Sequence, residues 1–209
     1  MSMNSYLSDN INFNANHSNG KSENFICDFK NICLKENVHL KRDKKSEIYS
    51  LQLYLDNTKY NLNNIINLNM YSILYELNQD NFEKIEIKNW LSNSEVDVLF
   101  LFKPFGKDLG IKPKYMYIRV SEVVENGKKT YTCYDIEYSY PDELANYEKV
   151  TTRISTMVVN FESNHKVNIN YLFKLDLAHS LPIYMENVLG LIMKKMFLHL
   201  KQFIEAINH

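Results

Sequence analysis

Apolar and polar residues alternate in several stretches of this chain, the pattern of strands with one buried face. Ile169, Tyr171, Phe173 and Leu175 do so within the segment Val167 to Asp176, and Tyr134, Ile136 and Tyr138 do so within another. The alternation predicts strands over 37–42, 47–55, 84–90, 96–103, 114–124, 129–138, 149–162 and 166–175. Polar turns separate several of them, at Asp43-Lys44-Lys45, Asn93-Ser94, Asn126-Gly127 and Ser163-Asn164-His165. Asn126-Gly127 is the strongest turn signal, because both residues tolerate the positive φ of a tight hairpin.

The period changes twice. Leu62, Ile65, Ile66, Met70, Ile73, Leu74 and Leu77 fall at helical spacing and predict a helix over 61–78. After the last strand, Pro182 suits a first helical turn, where its missing N–H leaves nothing unsatisfied. Met185, Leu189, Ile192, Met196, Phe203 and Ile207 then form an apolar stripe along a helix over 181–208, with Lys194, Lys201 and Glu205 on the opposite side. Two strands, a helix, about six strands and a terminal helix give an α+β fold. Short turns between consecutive strands make the sheet mostly antiparallel, curved around the C-terminal helix.

Composition narrows the function classes. The chain has 209 residues, 45% apolar and 23% charged, enough for one domain with a sizeable core or cavity. Residues 1–24 are rich in Asn and Ser and read as a flexible tail, leaving 25–209 as the folded domain. A net charge of -1 gives no basic footprint, so nucleic acid is not an expected partner. Cys27, Cys33 and Cys133 are odd in number and form no CxxC pair, and the six histidines show no HxxxH spacing. Neither a disulfide framework, a metal site nor a cofactor is indicated. No stretch reaches the roughly 18–20 consecutive apolar residues of a membrane span, and the N-terminus lacks a signal-peptide profile. A cytoplasmic monomer is the expectation.

Three pieces of sequence resemble the START family, the lipid-transfer domains of the helix-grip type. Pro113-Lys114-Tyr115-Met116-Tyr117-Ile118-Arg119 is similar to the family's PRDFV-x-R, with Lys114-Tyr115 where the family has Arg-Asp. Arg153 in Val150-Thr151-Thr152-Arg153 matches a later strand's arginine. Asp176-Leu177-Ala178-His179-Ser180-Leu181-Pro182 matches D-x-x-G-x-LP, with His179 in place of the glycine. The resemblance covers about residue 29 to the C-terminus. It implies a sheet gripping the last helix, one lipid between them, and a lid loop at 139–147.

The expected cavity is lined by Tyr117, Tyr134, Ile136, Tyr171 and Phe173 from strands and by Met185, Leu189, Ile192 and Met196 from the helix. Arg119 is the sharpest polar candidate, sharing a face with Tyr115 and Tyr117. A guanidinium pointing inward would bind an anionic headgroup through its forked donors; the other reading is an arginine at the surface or paired with an acid on a neighbouring strand. The first reading favours a phospholipid over a sterol, with transient contact at a membrane surface. An acyl chain of roughly 16 carbons at ~0.8 kcal/mol per methylene gains on the order of 13 kcal/mol on burial, near what it loses on leaving a bilayer. Exchange is then close to balanced. No catalytic residues are indicated, because Asp135 and Glu137 have no accompanying base or metal pattern. Two other functions fit the same elements: a helix-grip enzyme of aromatase or cyclase type acting on a small apolar substrate, and a protein-interaction module with a solid core.

Overall fold

The computed structural model describes residues 12–16, 22–26, 28–104, 111–139, 141–177 and 187–207. Within the stretch read as a tail, β1 (Asn12–Asn16) and β2 (Ser22–Ile26) pair antiparallel as a separate ladder. The main sheet contains β3 (Phe29–Lys35), β4 (Val38–Asp43), β5 (Tyr49–Asp56), β6 (Phe82–Ser92), β7 (Glu95–Phe102), β8 (Lys114–Glu125), β9 (Lys128–Asp135), β10 (Glu148–Ser163) and β11 (Lys166–Leu177). Their spatial order is β3-β4-β5-β11-β10-β9-β8-β7-β6, and successive neighbours are antiparallel. After β5 the chain crosses to the far edge, through α1 (Met70–Leu77), and returns strand by strand to β11. The last element is α2 (Val188–Ala206), packed across β4, β5 and α1.

The sheet curves through bulges, where one strand carries an extra residue and bends. They fall at Thr152/Ile154 and Phe161/Ser163 on β10 and at three places along the β6–β7 pair. The inner face, which meets α1 and α2, carries Leu51, Leu53 and Leu55 of β5 beside Val167, Ile169, Tyr171 and Phe173 of β11, all buried. These two strands alternate cleanly, as their sequence predicts. The Asn126-Gly127 turn also forms as predicted, with φ of 49° and 74°.

Four elements depart from the sequence expectation. The helix over 61–78 is broken into a 3-10 turn at Leu62–Asn64 and the short α1. Asparagine side chains compete with helical hydrogen bonds there: Asn61 Oδ1 accepts from Asn63 N–H at 2.9 Å, and Asn67 Oδ1 from Asn69 N–H at 2.8 Å. β3 was not predicted, because this edge strand carries a bulge at Asn31/Cys33 that spoils its alternation. β9 stops at Asp135 instead of Tyr138. Lys194 and Lys201, expected on the solvent side of the last helix, are buried at 4% and 6% exposure. The start of that predicted helix, with Pro182 and Met185, lies outside the described residues.

α2 comes close to the sheet at Gly190. A Cβ there would stand 2.5 Å from the Tyr49 ring. Tyr49 stacks on Phe173 with centroids 5.2 Å apart, and Phe173 stacks on Tyr171 at 4.8 Å. The helix is thereby seated on an aromatic row that runs toward the centre of the molecule.

Candidate ligand cavity

A small internal void lies where α1, α2 and the middle strands converge. Its volume is about 30 Å³, room for about two waters at the 10–15 Å³ that one requires by this measure. β8 and β9 contribute Met116, Ile118, Tyr131 and Cys133; β10 and β11 contribute Met157 and Tyr171; α1 and α2 contribute Met70, Tyr71, Met193 and Met196. Five of the protein's eight methionines therefore line one void. Unbranched thioether side chains adapt their shape readily, so the lining can repack around a guest.

Polar groups meet at the same place, and they are neutral. Tyr171 and Ser155 hydroxyls lie 3.0 Å apart, and the Cys133 thiol lies beside the Ser155 and Tyr71 hydroxyls. Burial pushes the Cys133 thiol up to about 11 and the Tyr71 and Tyr171 hydroxyls well above the usual phenol value. All three are protonated at neutral pH. The Tyr131 hydroxyl is committed elsewhere, donating to Ile66 O at 3.1 Å or Glu122 Oε1 at 3.1 Å.

The structure brings only part of the predicted site together. Tyr171 and Met196 line the void. Phe173 and Leu189 are buried in the surrounding core, and Ile192 packs half-buried against it. Met185 lies outside the described residues. Tyr117, Arg119, Tyr134 and Ile136 sit on the other side of the sheet: on β8 it is Met116, Ile118 and Val120 that point inward, and on β9 Tyr131 and Cys133. Arg119 is opposite Asp97 across the β7–β8 pair, and its Nε and Nη2 donate to the two Asp97 carboxylate oxygens at 2.7 and 3.2 Å. Its pairing is with an acid on a neighbouring strand, as one sequence reading had it, but with Asp97 in place of Asp135 or Glu137. The headgroup role reasoned for Arg119 loses its geometric basis.

The predicted lid loop also lies outside. Pro141–Leu144 forms a 3-10 turn, and Leu144 is buried against Leu99 and Tyr117, with Ile136, Tyr138 and Tyr147 around them. This cluster covers the outer face of β7 and β8, away from the void. Asp135, the acid considered for catalysis, accepts from Thr152 N–H at 3.0 Å and is not part of the lining; Glu137 is exposed. Sequence reasoning missed Cys133, Tyr71, Ser155 and the methionines of β8 and β10. The one signal available was the inner parity of Met116, Ile118 and Val120.

No family model matches the chain, and no curated protein matches it in sequence. Solved structures do match. The human StarD13 lipid transfer and protein localization domain aligns with a TM-score of 0.65 at 10% identity, over 83% of this chain and 87% of that one. Human StAR-related lipid transfer protein 5 gives 0.65 at 12% identity, over 87% and 88%. A STAR-related lipid transfer protein from Xanthomonas axonopodis gives 0.64 at 9%, over 85% and 98%. A curved antiparallel sheet closed by its C-terminal helix is common to these and to this chain, which has the START-type helix-grip fold.

Proposed function

We propose that residues 25–209 form a lipid-binding domain that takes up an uncharged amphiphile between the sheet and α2 and carries it between membranes without catalysis. The observation that carries this reading is the methionine-lined void with its cluster of neutral hydroxyls and a thiol. An apolar wall with a few convergent polar groups is the usual make-up of a small-molecule site. The START-type fold supports the same reading, since the structures it resembles are named as lipid transfer proteins.

The void holds far less than a lipid, whose site commonly has ~300 Å³ or more. Binding therefore requires α1 or α2 to move from the sheet and the methionines to repack, with the ligand replacing side-chain contacts by its own. No cation lines the void among the described residues, so a phosphate inside would be desolvated without a partner. A phospholipid would have to be held by its tails, its phosphate outside. A sterol or diacylglycerol instead brings one neutral hydroxyl that Tyr171, Ser155 and Tyr71 can meet. Tyr138, Leu144 and Tyr147 serve as a brace on the outer face in this reading, and the moving part is a helix.

The test is lipid extraction. Protein incubated with vesicles of phosphatidylcholine, cholesterol and diacylglycerol, then re-isolated, should retain one neutral lipid per chain. Replacement of Tyr171 by Phe together with Ser155 by Ala should weaken retention about tenfold, the share of one or two buried hydrogen bonds. Retention of phosphatidylcholine alone, unaffected by the double replacement, would overturn the choice of ligand class.

A further inference from the structure

A second recess lies on the other side of α2, between that helix and the edge strand β3. It is an open groove of about 260 Å³ lined by Cys33 and Lys35 of β3 and by Leu191, Lys194, Lys195, Leu198, His199 and Gln202 of α2. Lys194 is its most buried member, at 4% exposure. Its ammonium donates to the Cys33 sulfur at 3.1 Å. Thiol sulfur is a weak acceptor, and no carboxylate among the described residues lies within ion-pair distance of Lys194.

The lysines around it are different. Lys35 has Glu36 at 3.7 Å, Lys195 pairs with Asp80, and Lys201, the other buried lysine of α2, pairs with Glu205. One positive charge at the base of the groove is thus left unopposed while its neighbours are balanced. A buried charge without a counter-charge is costly, and an anion that reaches it removes that cost. Leu191 and Leu198 add an apolar wall beside it.

We propose that this groove binds a ligand through a single anionic group, a carboxylate or phosphate seated on Lys194, with a short apolar portion against Leu191 and Leu198. The site is separate from the internal void, and it holds whether or not the void admits a lipid. The anion has two possible sources, a free small molecule or a lipid headgroup at a membrane surface, and the chemistry of recognition is shared.

Backbone amide resonances of Cys33, Leu191, Lys194 and Leu198 report the groove. The full chain is titrated with hexanoate, with inorganic phosphate, and with phosphatidylcholine vesicles with or without phosphatidylserine. Saturable shifts confined to these residues support the proposal: with hexanoate or phosphate they identify a free anion, and with phosphatidylserine vesicles alone a lipid headgroup. Lys194→Met should weaken the interaction at least about tenfold, and it should fold, since it replaces an unopposed buried ammonium by an apolar side chain of similar length. Leu191→Glu, at an exposed position of the groove wall, provides a second variant and should weaken binding by repulsion and by loss of the apolar contact. Absence of saturable shifts with every probe, or affinity unchanged in both variants, overturns the proposal.

Discussion

Arg119 and Asp97 illustrate how a charged pair at a sheet surface is held. The Asp97 side chain is 4% exposed and that of Arg119 30%, so the carboxylate depends on its partner more than the guanidinium does. Asn89 Nδ2 is its further donor, at 3.2 Å. Arg119→Ala should destabilise the fold by about 1–3 kcal/mol, the cost of leaving a buried acceptor underused, measured by urea denaturation. Ligand retention per folded molecule should not change. Asp135 carries the opposite electrostatics. Burial raises its pKa above the ordinary 3.8, against the Thr152 N–H and the charges of Lys149 and Arg153. The folded state therefore holds this proton to higher pH than the unfolded chain. The contribution to stability is full below 3.8 and is lost as pH rises through the folded value. Asp135→Asn keeps an acceptor for Thr152 and removes the titration, so the variant should gain on the parent between about pH 4 and pH 7. A constant difference across that range would contradict the assignment.

At the scale of elements, the seat of α2 on the sheet is the sharpest constraint. In Gly190→Ala the new methyl meets the Tyr49 ring, which is stacked on Phe173 and can donate from its hydroxyl to Asn187 Oδ1 at 3.3 Å. Better helix propensity favours alanine by about 1 kcal/mol, and overpacking opposes it by about 1–3 kcal/mol. A net fall in thermal stability is expected, and in a Tyr49→Ala background it should reverse. The same elements show what a sequence can reveal. β5 and β11 were legible because one face meets α2 and the other carries Gln52, Asn168 and Asn170. β8 was legible as a strand, but its inward face was not, because both faces are apolar: Met116 and Ile118 inside, and Tyr115 and Tyr117 outside beneath Ile136, Tyr138, Leu144 and Tyr147. Alternation fails as a guide when a loop folds back over the outer face, and the choice of Arg119 followed from that failure. The asparagine-broken helix and the burial of Lys194 depend on contacts with distant strands, which spacing along the chain does not encode.

For the molecule as a whole, the question is how a nearly filled interior accepts a guest. The succession of elements from β4 to the closing helix was readable from turns and periodicity, whereas the size of the void was not, because the same methionine and aromatic residues fill a core or line a pocket. The account requires a core that opens. Cys133 reports this directly, since its thiol faces the void, with its pKa pushed up to about 11 by burial. Its alkylation by N-ethylmaleimide at neutral pH should be slow and limited by opening. A bound lipid should slow it further, while reaction of Cys33 in the outer groove should not change.

The most direct measurement is native mass spectrometry of the full chain after incubation with mixed vesicles. The account predicts a one-to-one complex with an uncharged, hydroxyl-bearing lipid, diminished when Tyr171 and Ser155 are replaced. A chain that stays ligand-free against every neutral lipid offered, with Cys133 equally reactive before and after, would show that the interior is a closed core and contradict the account.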